Sequence, residues 1–298
     1  MTARDPTYRT GLAVAAVVVA VLALSLGDAI IKGTGAEMPL WQMYILRSLF
    51  ALPVLWWLAC RKARISFNSL IWVVLRSVLL VAMWLSYYSA LPLMPLSLAA
   101  AAYYTSPIMI TVLTALLARQ KPTPRVMMAV ILGFGGVVLV LRPNASSFDF
   151  AALLPVLAAF LYACAMVLTS LKCRDDNPFA LALALNIAFI IAGVGLGAFA
   201  GQEGSFMFGP WQNLDLKLIG TVTALSAVIL VGSVGTAIAY QNGPPATVSA
   251  FDYSYLVFSL IWGALYFAEL PDVLSLAGIV VIVLAGFLSL PREERHAA

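Results

Sequence analysis

"PPATVSAFDYSYL", Pro244 to Leu256, decides the fold, because the chain carries a second version of it. Shifted by 149 residues, "PLSLAAAAYYTSP" (Pro95 to Pro107) lies on it. Pro95 falls on Pro244, Ala101 on Ala250, Tyr104 on Tyr253 and Thr105 on Ser254. Continued without a gap, the shift puts Gln120 on Glu269. Nearer the N-terminus the better shift is 139, which puts Pro39 on Pro178 and Arg47 on Asn186. The difference between the shifts matches one extended connection, Gly201 to Asp215.

Both stretches sit in apolar surroundings. The chain has 298 residues, 63% hydrophobic and 10% charged, with a mean hydropathy of +0.99. A soluble chain averages about 45–50% apolar and about 25% charged, so this is an integral membrane protein. A bilayer crossing needs about 20 apolar residues. Ten such spans read out, roughly Leu12–Gly33, Trp41–Cys60, Leu70–Leu91, Leu96–Ala118, Val126–Leu141, Phe150–Leu171, Phe179–Ala200, Leu216–Gln241, Ala246–Phe267 and Val273–Leu290. No soluble domain is expected on either side. Each half, 1–145 and 146–298, then holds five spans. Five is odd, so the second half enters the membrane inverted. The expected fold is all-α, ten transmembrane helices as a 5+5 inverted repeat around a central cavity, an architecture of transporters.

The net charge of +4 and pI near 9.0 do not point to nucleic acid, because the basic residues alternate between loops. One side collects Arg4, Arg9, Arg61, Lys62, Arg64, Arg119, Lys121, Arg125, Lys172, Arg174, Arg292 and Arg295; the other has Lys32, Arg142 and Lys217. Lys and Arg mark the cytoplasmic side. Both termini are therefore expected in the cytoplasm, with the chain multi-pass in a bacterial-type inner membrane. The first apolar run exceeds the about 7–15 residues of a signal-peptide core and is followed by further spans. Cys60, Cys164 and Cys173 lack metal-ligand spacing and are expected as free thiols.

Ten spans, a 5+5 repeat, and fourth and ninth spans opening after proline resemble the drug/metabolite transporter superfamily, EamA type. "YYTSPIMITVLTALLARQKPT" (Tyr103–Thr123) is similar to that family's fourth-span pattern, with Gln120 in place of the usual acid; Glu269 keeps the acid in the second half. The resemblance implies a secondary active transporter exporting small amphipathic metabolites by alternating access, and looks most like the bacterial exporters of neutral and aromatic amino acids. Other metabolites or drugs of the superfamily are the alternative. It also implies that spans five and ten pack together behind the cavity, and that a bend at Pro107 serves as a candidate hinge.

The polar and aromatic residues suggest where a substrate would bind. Tyr87, Tyr88, Tyr103, Tyr104, Tyr240, Tyr253 and Tyr255, most of the 11 tyrosines, lie on the third, fourth, eighth and ninth spans. Phenol hydroxyls need partners in a dry environment, which either a packed core or a ring-lined cavity supplies. Trp84, Tyr87, Tyr88 and Leu91 share one helical face. Ser226, Ser233 and Tyr240 form another, and Ser249, Asp252, Tyr255, Ser259 and Trp262 a third. Such stripes face protein or water rather than lipid. The candidate cavity residues are Trp84, Tyr87, Tyr88, Tyr103, Ser233, Tyr240, Ser249, Asp252 and Tyr255. Asp252, with Tyr103 as its repeat partner, has two readings. It handles a substrate amine or a coupled proton, or it braces the fold through Ser249 or tyrosine hydroxyls.

Other intramembrane charges read as structural. Asp28 and Lys32, four apart, are expected to pair. Arg76 is expected to snorkel to the inner face. Arg47, matched by Asn186, suggests a polar contact repeated in both halves, with carboxylate binding as the lesser reading. Glu269 closes its helix before Pro271. Trp41, Trp56, Trp57, Trp72 and Trp211 read as an interfacial belt. Gly133, Gly135, Gly136, Gly193 and Gly197 offer small faces for close helix packing.

An enzyme would need a catalytic cluster. The single histidine is His296 in the tail, Asp175-Asp176 has no following DxxD partner, and there is no phosphate-binding loop. No catalytic residue, metal or cofactor is expected. The expected partners are a small-molecule substrate and the bilayer, with the chain a monomer. A channel subunit is the remaining rival, separable by saturation and counterflow.

Overall fold

The computed structural model describes residues 9–34, 38–62, 70–90, 93, 102–117, 122–141, 153–201, 205–268 and 272–289. Among them every regular element is helical: α1 (Thr10–Thr34), α2 (Leu40–Lys62), α3 (Leu70–Ala90), α4 (Ser106–Leu117), α5 (Pro124–Leu141), α6 (Leu153–Lys172), α7 (Pro178–Gly197), α8 (Leu216–Asn242), α9 (Pro245–Asp252), α10 (Ser254–Phe267) and α11 (Val273–Ser289). In hydrocarbon a backbone must satisfy its own hydrogen bonds, and a helix does so within one segment. Seven stretches are long and apolar enough to cross a membrane, α9 and α10 counting together; Ser106–Leu117, Pro124–Leu139 and Leu276–Ser289 are shorter apolar helices. The chain is an all-helical, multi-pass membrane protein.

Local chemistry sets several helix ends. Asn177 caps α7 by accepting from the Phe179 amide at 3.0 Å, and Pro178 needs no donor partner in the first turn. Asp215 caps α8 by accepting from the Leu218 amide at 2.7 Å. Pro244-Pro245 opens α9. α10 ends on Ala268 in the left-handed conformation, φ 55°.

The surface is apolar and the interior holds the polar groups. Ile71, Leu116, Ile191 and Phe287 are exposed, whereas Gln42, Arg47, Arg76, Asn186 and Asp252 are buried. α1 packs along α8, α3 along α6, α2 against α7, and α5 against α11. α4 meets α9, and α1 also meets α10. Glycine sets two of these approaches. A Cβ on Gly136 would stand 2.9 Å from the Gly278 carbonyl oxygen of α11, and one on Gly193 would stand 2.9 Å from the Trp41 carbonyl oxygen of α2.

Several expectations need correction. Arg76 does not snorkel: it is 1% exposed, and its Nε donates to Thr169 Oγ1 of α6 at 2.7 Å. Depth along a span could not reveal that α6 covers it. Gly135 makes no close helix approach, since nothing lies within 4 Å of where its Cβ would be. Trp41 Nε1 donates to the Gly209 carbonyl, and its ring meets Trp211 at 5.4 Å. Leu91, Pro95, Gln120, Glu269 and the basic tails lie outside the described residues, as does the side chain of Lys32.

The extended connection is bound down rather than free. Leu40 N donates to Phe206 O, Gln42 Nε2 to Gln212 O at 2.7 Å, and Gln212 N back to Gln42 Oε1 at 2.8 Å. Residues 205–212 therefore lie across the start of α2.

Candidate functional site

α9 and α10 follow one another with a tightened turn at Tyr253. The Leu256 amide reaches back only to Tyr253 O at 3.1 Å, although Tyr253 keeps right-handed dihedrals. α4 has the same interruption before it. Thr105 N reaches Ala102 O, and Thr105 Oγ1 bonds the same carbonyl at 2.7 Å. Pro107 therefore sits in the first turn of α4, where its missing N–H costs least, with Thr111 Oγ1 donating to its carbonyl at 2.8 Å. The interruption precedes the proline rather than falling on it.

Asp252, the last residue of α9, is 6% exposed. Its Oδ2 accepts from Tyr240 of α8 at 2.6 Å and from Tyr162 of α6 at 3.4 Å, while its Oδ1 is buried without a partner. Tyr103 joins this group through its ring, 6.0 Å from that of Tyr162. Ser249 and Ser233 do not: each donates to a carbonyl of its own helix, Ala246 and Leu230.

A ring network leads away from this carboxylate. Tyr103 meets Tyr87 at 5.2 Å, Tyr87 meets Tyr88 at 6.1 Å, and Tyr88 stacks on Trp84 at 5.2 Å. Trp84 and Tyr88 line a small cavity with Asp28, Tyr44 and Arg47, about 20 Å³ in volume. That is room for little more than one water. The candidate residues thus form one packed aromatic assembly with a carboxylate at one end and a narrow cavity at the other. Spacing along single helices places rings on faces but does not say how tightly the faces close.

Tyr255 connects to the cavity end, because its hydroxyl donates to Asp28 Oδ2. On the same two helices, Trp262 Nε1 donates to Ser25 Oγ at 3.0 Å. Arg47 lies with its guanidinium 4.1 Å from the Phe189 ring centre and 4.9 Å from that of Tyr44.

Comparison with known proteins assigns this arrangement. The model of the EamA-like transporter family matches twice, over residues 11–142 and 149–290. The chain belongs to the EamA-like transporter family. With it comes membership of the drug/metabolite transporter superfamily. Among relatives of this EamA protein, a riboflavin transporter of Brucella anthropi is 27% identical over 256 residues, 85% of this chain and 87% of that one. A pseudopaline exporter of Pseudomonas aeruginosa is 25% identical over 280 residues, 90% of this chain and 93% of that one. A solved crystal structure shares the fold of this EamA chain, with a TM-score of 0.78 over 93% of this chain and 96% of the other, at 18% identity. The family and the relatives' names mark a membrane transporter rather than an enzyme.

Three residues of this candidate assembly escaped sequence reading. Tyr162 and Tyr44 lie outside the clustered tyrosines, so nothing in spacing singled them out. Asp28 was read only as a partner of Lys32, whose side chain lies outside the described residues, and Tyr255 reaches it from 227 residues away.

Proposed function

We propose that the protein is a ten-span secondary transporter that exports small amphipathic metabolites, neutral and aromatic amino acids foremost, by alternating access. The observation that carries this reading is the ring network joining a buried carboxylate to a cavity holding both charges. A ring-lined site suits an apolar or aromatic side chain, with a few placed polar groups to orient it.

Two inverted five-helix halves, 1–145 and 146–298, belong to the same reading. The double family match supports them. The helix contacts do as well, because exchanging the halves turns α1·α8 into α3·α6, α1·α10 into α4·α6, and α2·α8 into α3·α7. α2·α7 and α5·α11 pair across the exchange. The basic-loop alternation supports cytoplasmic termini in an inner membrane, and nothing in the mechanism needs more than a monomer. In this scheme the interruption at Tyr104–Thr105, just before Pro107, and its match at Tyr253 are the places where the helices flex.

Within this reading Asp252 carries a coupled proton. The groups bonded to it are phenols, Tyr240 from α8 and Tyr162 from α6; among the described residues no cation bonds it, and its Oδ1 has an unused acceptor position. A second substrate reading comes from the relatives, named for riboflavin and pseudopaline. The deciding experiment is a counterflow screen with purified protein in liposomes, offering amino acids, riboflavin and pseudopaline. Saturable counterflow of an aromatic amino acid is expected. Non-saturating flux would mean a pore, and counterflow of riboflavin or pseudopaline alone would favour the second reading.

A further inference from the structure

We propose that the cavity lined by α1, α2, α3 and α8 is a zwitterion site. Arg47 takes the ligand's carboxylate, Asp28 takes its ammonium, and the stacked Trp84–Tyr88 pair receives its side chain. The inference rests on the exporter reading above and names the head group that the exporter recognises.

The cation supplies the first observation. Arg47 is 4% exposed, and its guanidinium lies over the adjoining rings of Phe189 and Tyr44. Ring faces stabilise its charge but accept no in-plane hydrogen bonds. Its Nε has no partner, and neither has the Tyr44 hydroxyl. A buried donor left unused is costly, and this one belongs to a planar fork that matches a carboxylate. Among the described residues, nothing fills that role at the cavity.

The anion supplies the second. Asp28 lines the same cavity, remains solvent-accessible, and has one oxygen tied to Tyr255. No ion pair joins Asp28 to Arg47, although a gap of only about 20 Å³ lies among the residues that include them. Asp28 on α1 and Arg47 on α2 thus stand on separate walls of the cavity without contact. A ligand bearing a carboxylate and an ammonium on one carbon bridges that separation and satisfies both. A plain anion or a plain cation satisfies one and leaves the other exposed to its like. The remaining walls, Leu24, Met43, Leu225 and Ile229, are apolar and suit a ring or branched chain. The cavity is closed down on itself here, so binding requires the helices to part, as alternating access demands.

The test uses three probes differing only in charge: L-phenylalanine, its amide without the carboxylate, and its N-acetyl form without the ammonium. Binding is read on purified full-length protein by thermal shift and by tryptophan fluorescence. Wild type should bind phenylalanine at least tenfold more tightly than either analogue. Arg47→Gln should weaken phenylalanine and the N-acetyl form by tenfold or more while leaving the amide unchanged. Asp28→Asn should weaken phenylalanine and the amide while leaving the N-acetyl form unchanged. Equal binding of all three probes by wild type would overturn the proposal, as would both variants losing all three alike. If Arg47→Gln does not fold, the wild-type ranking and Asp28→Asn decide. Riboflavin counterflow without discrimination among the phenylalanine probes would refute this inference alone. Failure of every solute in the liposome screen would refute the exporter reading itself.

Discussion

Tyr104 and Tyr253 meet with ring centres 6.2 Å apart, each at the residue where its helix tightens. They are also the pair that the 149-residue shift superimposes. Both are buried, and Tyr253 packs against α5, with its hydroxyl donating to the Val130 carbonyl. A Cβ on Gly133 would stand 2.5 Å from two atoms of the Tyr253 ring.

Gly133→Ala should therefore push Tyr253 off α5. Overpacking of this kind costs about 1–3 kcal/mol, and a lowered melting temperature in detergent should register it. Tyr253→Leu combined with Gly133→Ala should recover most of the loss. A Gly133→Ala protein as stable as wild type would refute the contact.

The α5–α11 seam gives an internal contrast. Gly136→Ala places a methyl 2.8 Å from Ile282 Cγ1 and 2.9 Å from a backbone oxygen, whereas Gly135→Ala meets nothing within 4 Å. The first should destabilise by about 1–3 kcal/mol. The second should be neutral or slightly stabilising, since alanine favours helix over glycine. Equal effects would show that the seam does not need close approach there.

Gln42 ties the 205–212 segment to α2 with two hydrogen bonds. Gln42→Leu removes both bonds to the Gln212 backbone, at about 0.5–1.5 kcal/mol for each. Limited proteolysis should cut this segment faster in the variant. A cysteine at the exposed Trp211 should react with an impermeant maleimide from outside the cell; labelling only from the cytoplasm would reverse the proposed orientation.

Asp252→Asn should slow uptake into inside-out vesicles and flatten its pH dependence at normal expression. Tyr103→Phe removes a hydroxyl but no charge, so it should alter affinity more than pH response. Tyr240→Phe deletes the 2.6 Å bond to Asp252 and should shift the pH profile without abolishing it. Wild-type transport and pH profile in Asp252→Asn would leave the carboxylate a brace.

Helix positions were legible because apolar length is a local property of the chain. α3, for example, spans Leu70–Ala90 against an expected Leu70–Leu91. The tyrosines were legible because hydroxyls are conspicuous among aliphatic residues. Partner choice was not. Asp28 had a cation four residues away, but nothing local to the chain announces that Tyr255 also arrives from another helix. Arg76 shows the same limit: its distance from the span end was readable, but its burial depends on where Thr169 comes to lie.

The smallness of the cavity sets a size threshold. A space of about 20 Å³ admits a water molecule but no amino acid. Any passenger larger than water must therefore part Trp84 and Tyr88 from the facing walls before it can enter.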